Sequence, residues 1–177
     1  MRGGPERNER LTAASGAALF LLLAAEGVTI LFIRPLLSAH VFIGMLLIPP
    51  VALKLGSTGW RFVRYYRGAR EYVAKGPPLL PMRLLAPLVV GSTLAVFATG
   101  VALLVLGPRG GIVLTLHKAS FIVWIAVTGV HVVAYVWRVP RIARADWRPW
   151  ILVAGALAAG VALALATIDL ASPWVHA

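Results

Sequence analysis

The sequence predicts an all-α fold: an integral membrane bundle of five transmembrane helices, N-terminus cytoplasmic and C-terminus outside. Three observations predict it. Of the 177 residues, 60% are hydrophobic and only 13% are charged, with a mean hydropathy of +0.87. A soluble domain of this size exposes too much surface to carry so few charges. The chain also holds five apolar runs long enough to span a bilayer, which takes roughly 20 residues. The charged residues sit in short blocks between those runs, as topology signals do. That layout argues against nucleic-acid binding, although the formal charge is +11. The expected organisation is a single transmembrane domain over 1–177.

The first helix is expected over about 11–33. The run is too long for a signal-peptide core and reaches Arg34-Pro35 without a small-residue cleavage site. It reads as a retained helix. Arg34-Pro35 is a tight corner, and the second helix follows over 36–55. Pro49-Pro50 is expected to disrupt it. A long basic loop over 56–83 separates it from the third helix, 84–106. Gly107-Pro108-Arg109-Gly110-Gly111 is a turn. The fourth helix runs over 112–137, and the fifth over 150–170 after a loop flanked by Pro140 and Pro149.

Orientation follows from lysine and arginine. Arg2, Arg7 and Arg10 lie in the N-terminal tail. Arg61, Arg64, Arg67, Arg70, Lys75 and Arg83 lie in the long loop, and Arg138, Arg141, Arg144 and Arg148 lie before helix five. On any five-helix path these segments share one side, and the other side carries only Arg34 and Arg109. The positive-inside rule makes the richer side cytoplasmic. The loop stretch Trp60-Arg61-Phe62-Val63-Arg64-Tyr65-Tyr66-Arg67 mixes aromatic and basic residues. It reads as a surface for a partner or lipid headgroups, or as an interfacial anchor. Much Ala, Arg and Gly without cysteine suggests the cytoplasmic membrane of a bacterium.

The chain has no cysteine. Disulfides, thiolate-bound iron–sulfur clusters and covalently attached c-type haem are thereby excluded. No phosphate-cradling loop, zinc-protease motif or nucleophile triad is present.

Ionisable groups inside a bilayer are costly and tend to serve function. The candidates are Glu26, His40, Lys54, His117, Lys118 and His131. His40 and His117 each follow the outer start of a parallel helix by a few residues. Both therefore lie roughly 6 to 8 Å below the outer end. Two imidazoles at one depth can face each other across a haem and supply both axial ligands. His131 follows His117 by 14 residues, close to four turns and about 21 Å on nearly the same face. That spacing suits two haems stacked along one helix.

With Leu116-His117-Lys118-Ala119-Ser120 and Gly129-Val130-His131-Val132-Val133, the chain resembles membrane-integral b-type cytochromes, the cytochrome b and cytochrome b561-like bundles. The resemblance covers chiefly helices two to four. It implies haem b, electron transport, and a redox protein or quinone as partner. In that group, histidines about 13 to 14 residues apart ligate two haems across the membrane. Here the position 14 residues after His40 is Lys54. Lys54 could ligate as a neutral amine, or the inner haem could be absent, or His131 could pair with another group. Lys54 could also snorkel to the headgroups. One outer haem is the expectation, and the second depends on that choice.

Glu26 lies about 10 Å deep near the outer haem. It could accept a proton, hydrogen-bond an axial imidazole and fix its tautomer, or bond a neighbouring helix. Lys118 could pair with a haem propionate or Glu26, or snorkel outward. Gly44 lies one turn below His40, and Gly16, Gly27, Gly91 and Gly100 are further small residues that allow close approach of a macrocycle or of another helix. His176 reads as a solvated tail residue. Two other functions fit the same chain: a haem-free anchor or assembly subunit with structural histidines, and a small proton-coupled transporter. The lack of an internal repeat disfavours the transporter.

Overall fold

The computed structural model describes residues 4–77, 80–109, 111–138 and 147–175. Arg2, Gly110, Pro140, Arg141, Arg144 and His176 lie outside the described residues. The described chain is helical, with α1 over Gly4–Leu31, α2 over Ile33–Tyr66, α3 over Arg70–Lys75, α4 over Leu80–Leu106, α5 over Gly111–Tyr135 and α6 over Arg148–Thr167. Among the described residues, five helices are long and apolar enough to cross a membrane, and α3 is the short exception.

The helix ends follow local chemistry. Pro5 and Glu6 occupy the first turn of α1, where a missing N–H is harmless and a negative charge meets the helix dipole. Helix one thereby starts ahead of residue 11, because Glu6, Arg7, Glu9 and Arg10 are good helix formers. Phe32, at φ −120° and ψ 46°, makes the corner into α2. The expected start of helix two at Leu36 appears as a kink, with Leu36 at φ −111° and ψ 19°. Gly107, at φ +66°, ends α4, since glycine enters the left-handed region without steric cost. Pro149 lies in the first turn of α6. A 3-10 turn over Ile168–Ala171 and a last turn over Ser172–Val175 carry the chain onward.

Two expectations about helix two need correction. The segment expected as a loop from residue 56 is helical to Tyr66. No glycine or proline interrupts Trp60–Arg67, so the helix propagates beyond its apolar part until Gly68, at φ +73°. The remainder folds as α3, closed by Gly76 at φ +76°. Nor do Pro49 and Pro50 break α2, which runs through both. Pro50 has no N–H for the Leu46 carbonyl one turn earlier. Gly160 of α6 packs against that carbonyl so closely that a Cβ there would collide with it. The lost bond is offset by close helix–helix packing, the usual role of small residues in membrane bundles.

The helices pack in two units. α1, α2 and α6 form the first. Their contact is lined by Ala14, Ala18 and Val153, and by Met45, Leu46 and Ala164. α4 and α5 form an antiparallel hairpin, pinned where Trp124 Nε1 donates to Thr93 Oγ1 at 3.1 Å. Leu104 joins the hairpin to the first core. Trp174, beyond α6, donates its indole N–H to the Leu103 carbonyl at 3.1 Å. None of the side chains of α5 is buried. Ile112, Ile122, Val123 and Val133 point out of the protein, as lipid-facing side chains do. The seam between the units is thus thinly packed along α5.

Candidate functional site

One cluster of polar side chains within the spans lies at the end of the bundle where α1 turns into α2 and α4 into α5. Four helices contribute. His40 stands two turns into α2, and His117 stands in the second turn of α5. Glu26 and Thr29 come from α1, and Thr99 comes from α4. The sequence expectation that His40 and His117 share a depth corresponds to direct proximity. Their ring centroids are 6.4 Å apart and the ring planes cross at 71°.

Each imidazole is held through Nδ1. His40 Nδ1 lies 2.8 Å from Glu26 Oε1. Glu26 is only 9% exposed, and a carboxylate there accepts the Nδ1 proton. The Thr29 hydroxyl lies 3.1 Å from Glu26 Oε2 and 3.3 Å from His40 Nδ1. It also donates to the Glu26 backbone carbonyl at 2.7 Å, which fixes its rotamer. His117 Nδ1 lies 3.0 Å from Thr99 Oγ1. Thr99 gives its own proton to the Ala95 carbonyl at 2.7 Å, so its oxygen is free to accept from His117. Ser120 Oγ lies 3.4 Å from the same hydroxyl. With the proton on Nδ1, each histidine would keep the Nε2 lone pair.

That is the donor set a bis-imidazole metal site requires, with the other nitrogen of each ring oriented by a polar partner. His40 and His117 are the residues that would hold such a group, and their ring centroids are 6.4 Å apart. His40 and His117 come from the two packed units, on α2 and α5 respectively. Among the described residues, no three or more of His, Cys, Asp and Glu converge.

The glycines help selectively. A Cβ at Gly100 would lie 3.2 Å from His117 Cε1, so α4 makes room for the imidazole. A Cβ at Gly44 would lie 3.7 Å from Glu26 Oε1, an ordinary contact beside the carboxylate. Gly27 and Gly91 face open space. Lys118 is exposed, and the Glu26 carboxylate oxygens meet His40 and Thr29 instead.

The other end of the bundle is arranged differently. His131 is half-buried with its ring 5.0 Å from that of Tyr135. Lys54 Nζ donates to the Thr12 carbonyl of α1 at 2.6 Å. Gly16 makes space for it, since a Cβ there would lie 2.8 Å from Nζ. Thr12 also meets Ser57 at 2.9 Å. Lys54 therefore staples α1 to α2, and its nitrogen already has a partner.

Thr29, Thr99 and Ser120 are the site residues that sequence reasoning missed. Their signal was faint: a hydroxyl three residues after Glu26, another three residues after His117, and a threonine beside Gly100. An open cavity of about 590 Å³ lies at the same end, lined by Leu104, Gly107, Pro108, Asp169 and Pro173. No protein-family model, curated protein or solved structure matches the chain.

Proposed function

We propose that the protein is a membrane b-type cytochrome that binds one haem between His40 and His117 near the outer face. The observation that carries this reading is the facing imidazole pair, at 6.4 Å and with both Nδ1 atoms already engaged. Bound there, a six-coordinate haem would supply one-electron transfer rather than oxygen binding. His40 and His117 would present Nε2. Glu26 and Thr29 would hold His40 in one tautomer and orientation, and Thr99 would do the same for His117. The apolar walls of α2, α4 and α5 would keep water from the site. The side with the N-terminus would be cytoplasmic, as the arginine distribution supports. The acceptor or donor would be a redox protein or a quinone, approaching near the Asp169 cavity at the same end.

The test is a reduced-minus-oxidised spectrum of the purified protein after haem-replete expression. A Soret shift and an α-band are expected, and His40→Ala and His117→Ala should each remove them. Retention of full haem content in either variant would overturn the ligand pair. The second reading is a haem-free anchor or assembly subunit. It draws on the Glu26–His40 pair, which is a satisfied polar contact between α1 and α2 with or without a cofactor. A colourless protein that folds normally would favour it.

A further inference from the structure

The end of the bundle opposite the histidine pair carries an arginine surface with which no described carboxylate pairs. From the kink at Leu36, about 20 residues of α2 cross the hydrocarbon core, so α2 leaves it near residue 56. The following turns, to Tyr66, stand at headgroup level. Arg61, Arg64 and Arg67 recur there at three-residue spacing along one side of the helix. The Arg64 guanidinium lies 5.8 Å from the ring centroids of both Trp60 and Tyr72. Arg83 Nη2 donates to Tyr66 Oη at 2.6 Å.

The described acidic residues nearby are engaged elsewhere. Glu6 and Glu9 both meet Lys75. Glu71 Oε2 accepts the Gly4 N–H at 3.3 Å. Among the described residues, no carboxylate pairs with Arg61, Arg64, Arg67 or Arg70. The same turns expose large apolar surface, with Trp60 57%, Phe62 62% and Tyr66 56% exposed. Arginine beside exposed aromatic rings at the membrane boundary matches a phosphate layer above hydrocarbon better than the surface of a soluble acidic protein.

The geometry points to a binding surface for anionic phospholipid headgroups, formed by Arg61, Arg64, Arg67 and Arg70 with Trp60 and Tyr66. Phosphate oxygens accept from the guanidinium forks, while the rings lie against the glycerol and upper acyl region. α3 and the start of α1 brace the surface from behind through Tyr72, which is 6% exposed.

The test uses the full chain, delipidated in a mild detergent and mixed with equimolar phosphatidylglycerol and phosphatidylcholine. Native mass spectrometry reads the retained lipids. Phosphatidylglycerol adducts should exceed phosphatidylcholine adducts at least tenfold. Each arginine removed should cut that preference about twofold, so that the four together abolish it. The variant R61Q/R64Q/R67Q/R70Q should bind both lipids equally, while Arg34→Gln at the opposite end keeps the preference. If the fourfold variant does not fold, Arg67→Gln and Arg70→Gln, both at exposed positions, should each show the single-site loss. Equal retention of both lipids by the native protein would overturn the inference, as would an undiminished preference in the variants. Displacement of the lipid by a tenfold excess of inorganic phosphate would overturn it too, because the acyl chains would then contribute nothing.

Discussion

Replacing Glu26 with glutamine probes the site through a residue that is not itself a proposed ligand. The substitution keeps size and hydrogen-bonding capacity but removes the charge. In the native protein the carboxylate lies 2.8 Å from His40 Nδ1 and is 9% exposed, so the bond is charge-assisted and poorly screened. A glutamine can still accept the Nδ1 proton through its carbonyl, but as a neutral partner with about half the strength. It can also present its NH2 and force the other tautomer, leaving Nε2 protonated and unable to ligate. Loss of an outer-shell partner typically costs 10- to 100-fold in affinity, or about 1.4 to 2.7 kcal/mol. Haem titration of the apo protein, followed at the Soret band, should show Kd rising by that factor for Glu26→Gln. Glu26→Asp, which keeps the charge and shortens the reach, should fall between. Binding by Glu26→Gln within twofold of the native protein would refute the claim that this carboxylate orients His40.

Thr99→Val removes the acceptor for His117 Nδ1 while preserving shape. It should weaken haem binding by about tenfold, read in the same titration, with helix content by circular dichroism unchanged. Gly160→Val drives a side chain into the Leu46 carbonyl. Overpacking of this kind costs about 1 to 3 kcal/mol, so the variant should show a lower Tm in detergent than Gly155→Val, where nothing lies within 4 Å of the added carbon. Because the chain has no cysteine, topology can be read from single introduced ones. Ser172→Cys should react with a membrane-impermeant maleimide on intact cells, and Ala74→Cys should react only after permeabilisation.

Much of this architecture was legible in the sequence because a bilayer imposes simple rules. Five apolar runs became five helices long and apolar enough to cross a membrane, and the ends near Leu106 and Trp137 fell within a few residues of the expected places. His40 and His117 were legible as a pair because depth along a helix follows from counting residues. What was not legible depends on contacts across the bundle. The continuity of α2 through Pro49-Pro50 requires Gly160 of α6 beside the Leu46 carbonyl, and nothing local to the prolines announces it. The placement of α3 against the start of α1 was not legible either, since it rests on Tyr72 and on the Lys75 contacts to Glu6 and Glu9. Lys54 stood open as a ligand by spacing alone, whereas its nitrogen meets the Thr12 carbonyl, a choice set by the approach of α1. Thr29 and Thr99 were invisible because a threonine in an apolar helix usually bonds its own preceding turn, as both do here as well.

The central claim is that His40 and His117 together hold one haem. The most direct measurement is haem content per chain in the purified protein, set beside the reduced-minus-oxidised spectra of His40→Ala, His117→Ala and His131→Ala. The account predicts one haem per chain, lost in the first two variants and kept in the third. A haem retained by the first two variants and lost from His131→Ala would contradict it, as would a folded native protein with no haem at all.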